Sequence, residues 1–132
     1  MSKGGLLMFL SLLSSLNIFG RSQQNSDSTM TVEQLKALMK SNSNLVILDV
    51  RNPSELVSTL GKIENVINIP IHELQSRIDE LKKYKDKQIA VICRSGNRSN
   101  FGTKILRSQG FNAKNVLGGM IEYRKQESLK IK

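Results

Sequence analysis

The sequence predicts an α/β fold in which a mostly parallel sheet is flanked by helices on both faces. Three observations support this class. Short apolar runs of strand length recur along the chain, segments with helical spacing separate them, and glycine or proline marks several boundaries. Strands that alternate with helices are typical of a parallel sheet.

Four short segments rich in aliphatic residues are predicted to be strands. In chain order they are residues 45–50, 66–69, 88–92 and 115–117. Pro70 closes the second strand, because proline cannot donate a hydrogen bond to a strand ladder. Gly118 and Gly119 follow the fourth strand and turn the chain into a last helix.

Periodic apolar side chains predict the helices between these strands. Thr31 and Gln34 fit a capping box at the start of the first helix. Asn52, Pro53 and Glu55 mark the start of the second helix as a cap, a first-turn proline and an acid at the third position. The apolar faces comprise Val32, Leu35, Leu38 and Met39 in the first helix, Ile71, Leu74, Ile78 and Leu81 in the third, and Phe101, Ile105 and Leu106 in the fourth.

Residues 1–22 have the pattern of a signal peptide. Lys3 gives a positive start, and residues 4–20 carry no charge. Gly20 and Ser22 form a small-x-small pattern at which a signal peptidase can cut. The alternative is an uncleaved membrane anchor formed by residues 4–20. Both interpretations place the folded part outside the cytoplasm, and we expect a periplasmic protein.

The remaining chain has the size of one domain. We expect a polar linker at residues 23–30 and a single domain at residues 31–132. Residues 23–132 carry 18 basic and 11 acidic side chains, a net charge of +7. Because the lysines are scattered and the whole chain has only 4 Phe, 2 Tyr and no Trp, we expect a solvated basic surface and no nucleic-acid partner. A membrane partner is expected only if the N-terminal segment is retained.

One cysteine and one histidine limit the chemistry available to the chain. Cys93 has no partner for an internal disulfide, and with His72 as the only histidine a Cys/His metal cluster is excluded. We therefore expect no metal and no cofactor. His72 has no motif around it, and we expect it at the surface. The chemistry that remains is that of one thiol.

Cys93 ends the third predicted strand, where the sites of α/β sheets form. The residues after it predict a strand-loop-helix passage in which backbone N–H groups and a helix N-terminus point at the sulfur. Gly96 lets the backbone curl, and Arg94 and Arg98 add positive charge. These features favour a thiolate, so we expect a lowered thiol pKa and a catalytic Cys93. The expected substrate-binding residues are Arg94, Ser95, Gly96, Asn97 and Arg98.

The chain resembles the rhodanese family, specifically its exported single-domain members of the phage-shock-protein E kind. Four segments carry the resemblance, and together they span about residues 31–126. They are residues 48–55, similar to the family's Asp-x-Arg-x-x-x-Glu segment, residues 61–70, similar to Gly-His-Ile-x-Gly-Ala-x-Asn-Ile-Pro, residues 93–98, similar to the active-site loop, and residues 117–119, similar to the Leu-x-Gly-Gly turn. Lys62, Asn65 and Tyr123 stand where the family usually has His, Gly and Trp.

The resemblance implies a rhodanese-like fold with a central five-stranded sheet and a sulfurtransferase activity. A Cys93 thiolate would take a sulfane sulfur from a small anionic donor such as thiosulfate and pass it to cyanide or a cellular thiol. Arg98 is favoured over Arg94 as the residue that contacts the donor, although the sequence leaves both open. Asp49 and Arg51 are interpreted as structural support near the site, with Arg51 paired to Asp49 or Glu55.

Two alternatives remain open at this point. A Cys-dependent phosphatase or arsenate reductase of related fold uses a Cys-x5-Arg loop, whereas Cys93 and Arg98 are separated by four residues. The shorter loop makes a tighter cradle that suits a sulfur atom better than a tetrahedral oxyanion. The other alternative is a rhodanese-like module that binds a partner without catalysis, whose usual sign is a missing cysteine.

Overall fold

The computed structural model describes residues 26–41 and 44–131. The predicted signal peptide or anchor at residues 1–22 lies outside these described residues, so export from the cytoplasm stays a prediction. Within the described part of the chain, no helix combines the length and the apolar character that crossing a bilayer requires.

The described residues form one sheet of five parallel strands. The strands are β1 (Thr29–Met30), β2 (Leu45–Asp49), β3 (Ile67–Asn68), β4 (Gln88–Ile92) and β5 (Asn112–Val116). Their order across the sheet is β1-β5-β4-β2-β3, and every pairing is parallel. The predicted α/β class and the five strands implied by the family resemblance are confirmed.

Helices cover both faces of this sheet, as the sequence predicts. They are α1 (Val32–Ser41), α2 (Pro53–Leu56), α3 (Ile71–Leu74) with the 3-10 helix Gln75–Tyr84 that continues it, α4 (Asn97–Ser108) and α5 (Gly119–Ile131). Successive side chains of a strand point to opposite faces. Leu48 and Val91 therefore join the core under α3 and α4, whereas their neighbours Ile47 and Ala90 join the core under α1 and α5.

Local sequence signals place the starts of α1 and α2 correctly. The Thr31 N–H donates to Gln34 Oε1 at 2.9 Å, and the Gln34 N–H donates to Thr31 Oγ1 at 3.1 Å. At the start of α2, the Asn52 N–H donates to Glu55 Oε2 at 3.0 Å. These contacts satisfy backbone donors that the first turn of a helix leaves without partners.

One strand is not predicted from the sequence pattern, and another starts earlier than predicted. Thr29–Met30, predicted to belong to the polar linker, form β1 beside β5, and the Leu117 N–H donates to the Met30 carbonyl at 2.9 Å. Strand β5 starts at Asn112 instead of residue 115 because it pairs with β4 along that length. Both segments lack a strong apolar run, so their strand structure comes from pairing with a neighbour and not from local pattern.

The prediction for Phe101 is wrong. The apolar pattern places Phe101 on the buried face of α4 with Ile105 and Leu106, but its side chain is 61% exposed. The face that packs on the sheet carries Ser99, Gly102, Thr103 and Leu106. At Gly102 a Cβ atom would already lie 3.3 Å from the Ile71 side chain, so the helix approaches its neighbours through small residues that give no apolar signal.

The third predicted helix is only in part an α-helix. Ile71–Leu74 is α-helical, and the main chain then continues as a 3-10 helix from Gln75 to Tyr84. The apolar positions still reach the core, since residues three apart eclipse one another in a 3-10 helix and Ile78 and Leu81 are so spaced.

Candidate active site

Cys93 lies directly after β4, at the carboxyl edge of the sheet, where parallel α/β sheets form their sites. It is buried, with 1% of its surface exposed. The residues after it turn sharply into α4, because Gly96 has φ +107°, a left-handed conformation that disfavours a side chain. The loop from Cys93 to the first turn of α4 is called the Cys93 loop below.

Hydrogen-bond donors of this loop surround the Cys93 sulfur. The Gly96 N–H donates to Sγ at 3.1 Å, and the Ser99 N–H donates to Sγ at 3.3 Å. The Ser99 hydroxyl oxygen lies 3.2 Å from Sγ. The N-terminal turn of α4 therefore directs its free N–H groups at a sulfur atom, an arrangement that favours negative charge.

The electrostatic balance favours the thiolate more than in an ordinary cysteine. Burial raises the pKa of the Cys93 thiol, but the Ser99 hydroxyl and the backbone N–H groups of Ser99, Gly96 and Ser95 lower it, and the net pKa lies below the usual value. The direction agrees with the lowered pKa expected from the sequence.

The first turn of α5 donates backbone hydrogen bonds to the start of the Cys93 loop. The Met120 N–H donates to the Cys93 carbonyl at 2.8 Å, and the Ile121 N–H donates to the Arg94 carbonyl at 3.0 Å. A Cβ atom at Gly119, whose φ is +59°, would lie 2.5 Å from both carbonyl oxygens. The Gly118-Gly119 turn thus acts on the site through close backbone contact.

The two arginines of the loop have different environments. Arg98 donates two hydrogen bonds to the Glu55 carboxylate, at 2.7 Å and 2.9 Å. The hydrogen bond from Arg98 lowers the pKa of Glu55 to about 2, against the opposing effect of partial burial. Arg94 is exposed. The sequence favours Arg98 as the substrate contact, but in the structure its guanidinium is engaged by Glu55, and Arg94 is the exposed cation.

Asp49 and Arg51 form a buried pair beside the loop. Arg51 Nη2 lies 2.7 Å from Asp49 Oδ2, and the two side chains are 1% and 0% exposed. Arg51 also donates to the carbonyl oxygens of Glu55 and Gly61. Asp49, and not Glu55, is therefore the ion-pair partner of Arg51. Through the Glu55 carbonyl, Arg51 also connects the end of β2 to α2. His72 is exposed, as expected.

Two residues near the sulfur were not among the predicted site residues. Ser99 falls one position past the loop residues chosen, and it contacts Sγ through both its hydroxyl and its N–H. Asn115 is buried on β5, and its side chain contacts Ser99 and Gly96. The sequence offers a signal for Ser99, since it lies in the first turn of the helix, but a polar residue in a short strand gives no comparable signal for Asn115.

The rest of the described structure offers no comparable cluster. Within residues 26–41 and 44–131, no group of three or more His, Cys, Asp or Glu side chains is arranged to hold a metal ion. A cavity of about 630 Å³ lies beside β1 and α1, lined among others by Met30, Gln34 and Leu38 and not by the Cys93 loop.

A family model described as the rhodanese-like domain matches residues 31–126. The chain belongs to the rhodanese family. This match confirms the resemblance carried by the four sequence motifs, and it includes the whole of the Cys93 loop. The phage-shock-protein E kind of rhodanese stays a prediction.

Individual relatives of this rhodanese-like domain agree with the family match. YtwF of Bacillus subtilis (strain 168), a protein named as a sulfurtransferase, is 35% identical over 89 residues, 67% of this chain and 82% of that protein. A protein of Allochromatium vinosum named sulfurtransferase is 29% identical over 92 residues, 69% of this chain and 82% of that protein. Other relatives are longer, and the chain spans 49% of one and 28% of another.

A solved structure shows the same fold. The crystal structure of a rhodanese-related protein from Thermoplasma volcanium superimposes with a TM-score of 0.67 at 36% sequence identity. The superposition covers 75% of this chain and 92% of that one.

The departures from the family motifs fit the fold. Asn65, which replaces the usual glycine, has φ +64°, and asparagine is among the residues that best tolerate this left-handed conformation. Tyr123, which replaces the usual tryptophan, is buried under α1, where Lys36 Nζ lies 4.4 Å from the centre of its ring. Lys62 is exposed.

Proposed function

We propose that this rhodanese-like domain is a sulfurtransferase that moves a sulfane sulfur from a donor such as thiosulfate to a thiophilic acceptor through a persulfide on Cys93. The observation that carries the proposal is the ring of donors around Sγ, with N–H groups of Gly96 and Ser99 at 3.1 Å and 3.3 Å. The names of the relatives YtwF and the Allochromatium sulfurtransferase support the same reaction class.

The first step is attack of the Cys93 thiolate on the outer sulfur of the donor. A bond forms between Sγ and that sulfur, the sulfur–sulfur bond of thiosulfate breaks, and its electron pair leaves with sulfite. In the second step cyanide or a thiolate attacks the terminal sulfur, and the Cys93 thiolate is restored. No oxidant or reductant is consumed when cyanide is the acceptor and thiocyanate the product.

The loop supplies the electrostatic part of this reaction. Negative charge lies on Sγ before the first step and returns to Sγ in the second, so the N–H groups of Gly96 and Ser99 stabilise the thiolate both as it attacks and as it leaves. Exposed Arg94 is the residue we assign to attraction of an anionic donor. Arg98 braces the loop against α2 through Glu55.

The loop is less suited to phosphoryl transfer. Enzymes of that kind use an arginine to hold the equatorial oxygens of a tetrahedral anion, and the candidate here, Arg98, makes a bidentate pair with Glu55 instead. This contact adds to the argument from the short Cys-x4-Arg spacing.

The test uses the protein without its residues 1–22. After incubation with thiosulfate, we expect intact-mass analysis to show one added sulfur atom on Cys93, and we expect thiocyanate when cyanide is then supplied. Cys93→Ser should lose both signals while retaining its thermal unfolding midpoint, because serine is nearly isosteric with cysteine.

Each contrary result would indicate a different mechanism or function for this domain. Thiocyanate formation that persists in Cys93→Ser contradicts the persulfide mechanism. A folded wild-type protein that gains no sulfur from any sulfane donor is instead the partner-binding module. Hydrolysis of an aryl phosphate that depends on Cys93 identifies a phosphatase.

A further inference from the structure

Asn115 is a buried amide directly beneath the Cys93 loop. It lies on β5, and its side-chain nitrogen donates to the Gly96 carbonyl at 3.2 Å. A carbonyl oxygen can only accept a hydrogen bond, so this contact fixes which end of the amide faces Gly96. The amide oxygen therefore faces the other neighbour, Ser99.

The Ser99 hydroxyl lies between Asn115 and Cys93. Its oxygen is 2.6 Å from Asn115 Oδ1 and 3.2 Å from Cys93 Sγ. Oδ1 carries no proton, so Ser99 must be the donor in the shorter contact. A hydroxyl has a single proton, and the longer contact is then one in which the Cys93 S–H donates to Ser99 Oγ. This chain of donors fits a protonated sulfur.

Ionisation of Cys93 reverses what the sulfur requires. A thiolate can only accept, and the backbone N–H groups of Gly96 and Ser99 donate to it without rearrangement. The Ser99 hydroxyl can donate to it only by rotating its proton away from Asn115. Two acceptors therefore compete for one proton, inside a site with little access to water.

We propose that Asn115 is a positioning residue that competes with the Cys93 sulfur for the hydroxyl proton of Ser99 and so offsets part of the stabilisation that the loop gives to the thiolate. The inference rests on the proposed function in taking Cys93 as the nucleophile. When the sulfur ionises, the Ser99 hydroxyl rotates and donates its hydrogen bond to Sγ instead of to Asn115. When a persulfide forms, the negative charge moves to the outer sulfur. The Ser99 hydroxyl then donates its hydrogen bond to Asn115 Oδ1 again.

The charged side chains on the elements packed around the loop stay constant in the test, and among them Arg98 interacts electrostatically with Cys93. They are Arg94 and Arg98 of the loop and α4, Glu55 of α2, Asp49 and Arg51 at the end of β2, Lys114 of β5 and Glu122 of α5. With its pKa at about 2, Glu55 keeps its charge throughout the range in which a thiol titrates. None of these residues is altered in the variants below.

The test is a double-mutant cycle on Ser99 and Asn115 that measures the Cys93 pKa from the pH dependence of alkylation by iodoacetamide. We expect Asn115→Ala to lower that pKa by about 0.5 to 1, the equivalent of one hydrogen bond gained by the thiolate. We expect Ser99→Ala to raise it. In the Ser99→Ala background, Asn115→Ala should change nothing further, because the hydroxyl through which Asn115 acts is gone.

Two results would overturn the proposal: a Cys93 pKa that rises in Asn115→Ala, or an effect of Asn115→Ala on that pKa that persists in the Ser99→Ala background. Asn115 would then only support the Gly96 carbonyl. Thermal unfolding verifies that each variant is folded. Asn115→Val, which also lacks the acceptor and suits a strand, replaces Asn115→Ala if that variant does not fold. Because no sulfur donor is present, failure of the sulfurtransferase proposal and failure of this one are separate results.

Discussion

At the scale of single residues, the Cys93 site depends on backbone groups more than on side chains. The sulfur accepts from the N–H groups of Gly96 and Ser99, and the carbonyls of Cys93 and Arg94 accept from the first turn of α5. The position of the backbone is therefore what the site must preserve. Gly119 preserves it, because its missing Cβ leaves room for both carbonyl oxygens.

Gly119→Ala should lower the free energy of unfolding by about 2–4 kcal/mol, because a Cβ would meet two carbonyl oxygens and a positive φ would be imposed on alanine. The measurement is urea unfolding, with Cys93 alkylation as a local readout. Gly110→Ala is the matched control: its φ is also positive, at +88°, but its Cβ would meet only the flexible end of Lys85. We expect a loss of about 1 kcal/mol there, the cost of a left-handed backbone for a residue with a Cβ atom. Equal losses would contradict the close-contact explanation.

The arrangement of the Cys93 loop can be inferred from the sequence because its residues are consecutive. Cys93, Gly96 and the arginines stand in one loop, and the chemistry of a loop followed by a helix can be inferred from its order of residues. The same argument fails for Asn115, which is 16 residues from Ser99 along the chain. Only the pairing of β5 with β4 brings that amide beneath the sulfur.

At the scale of elements, the short helix α2 is joined to the start of α4 by the Glu55–Arg98 pair. Glu55 has two roles there, since one carboxylate oxygen accepts from the Asn52 N–H and both accept from Arg98. The pair is part-buried, with 33% of Arg98 and 25% of Glu55 exposed. Its geometry is bidentate, which distinguishes it from a solvated surface contact.

Glu55→Gln should lower the free energy of unfolding by about 1 kcal/mol at neutral pH. Glutamine retains an acceptor for the Asn52 N–H, so the change reports on the charged contact with Arg98 and not on the helix cap. Glu80→Gln, which removes a carboxylate from an exposed pair with Arg77, is the control and should change stability less. If the two variants lose the same amount, the burial of the Glu55–Arg98 pair has no energetic consequence.

The same pair predicts a pH dependence whose sign follows from its pKa. Glu55 has a folded-state pKa of about 2 against an ordinary value of 4.5. Because the folded-state pKa is lowered, Glu55 contributes fully to the free energy of unfolding above pH 4.5. This contribution is lost as the pH falls through about 2. The stability difference between the wild-type protein and Glu55→Gln should therefore shrink over that range. A difference that stays constant there would contradict the assignment.

At the scale of the whole molecule, the order of strands decides which residues meet at the carboxyl edge. Strand β4 is central, with β2 on one side and β5 on the other. The segments that follow β2, β4 and β5 place Arg51, Cys93 and Gly119, the first residue of α5, at one edge of the sheet. The edge strand β1 extends the sheet beyond β5, and its Met30 is 3% exposed.

Met30→Ala should lower the free energy of unfolding by about 2–4 kcal/mol, because it removes a buried side chain from the core shared by α1 and α5. Met39→Ala is the matched control, since Met39 is 39% exposed on α1, and it should cost about 0.5 kcal/mol or less. Thermal or urea unfolding measures both. Equal effects would mean that β1 is not part of the stable sheet.

Residue order along the chain is enough to predict the alternation of strands and helices, the caps of α1 and α2, and the turn of the Cys93 loop, because each depends on neighbouring residues. Only the tertiary fold shows where the fifth strand lies, at Thr29–Met30, and it alone accounts for the exposure of Phe101, the pairing of Arg98 with Glu55 and the position of Asn115. Glu55 and Arg98 are 43 residues apart, so their contact exists only once α2 and α4 lie on the same sheet. Local pattern carries no information about which distant polar groups the sheet order brings together.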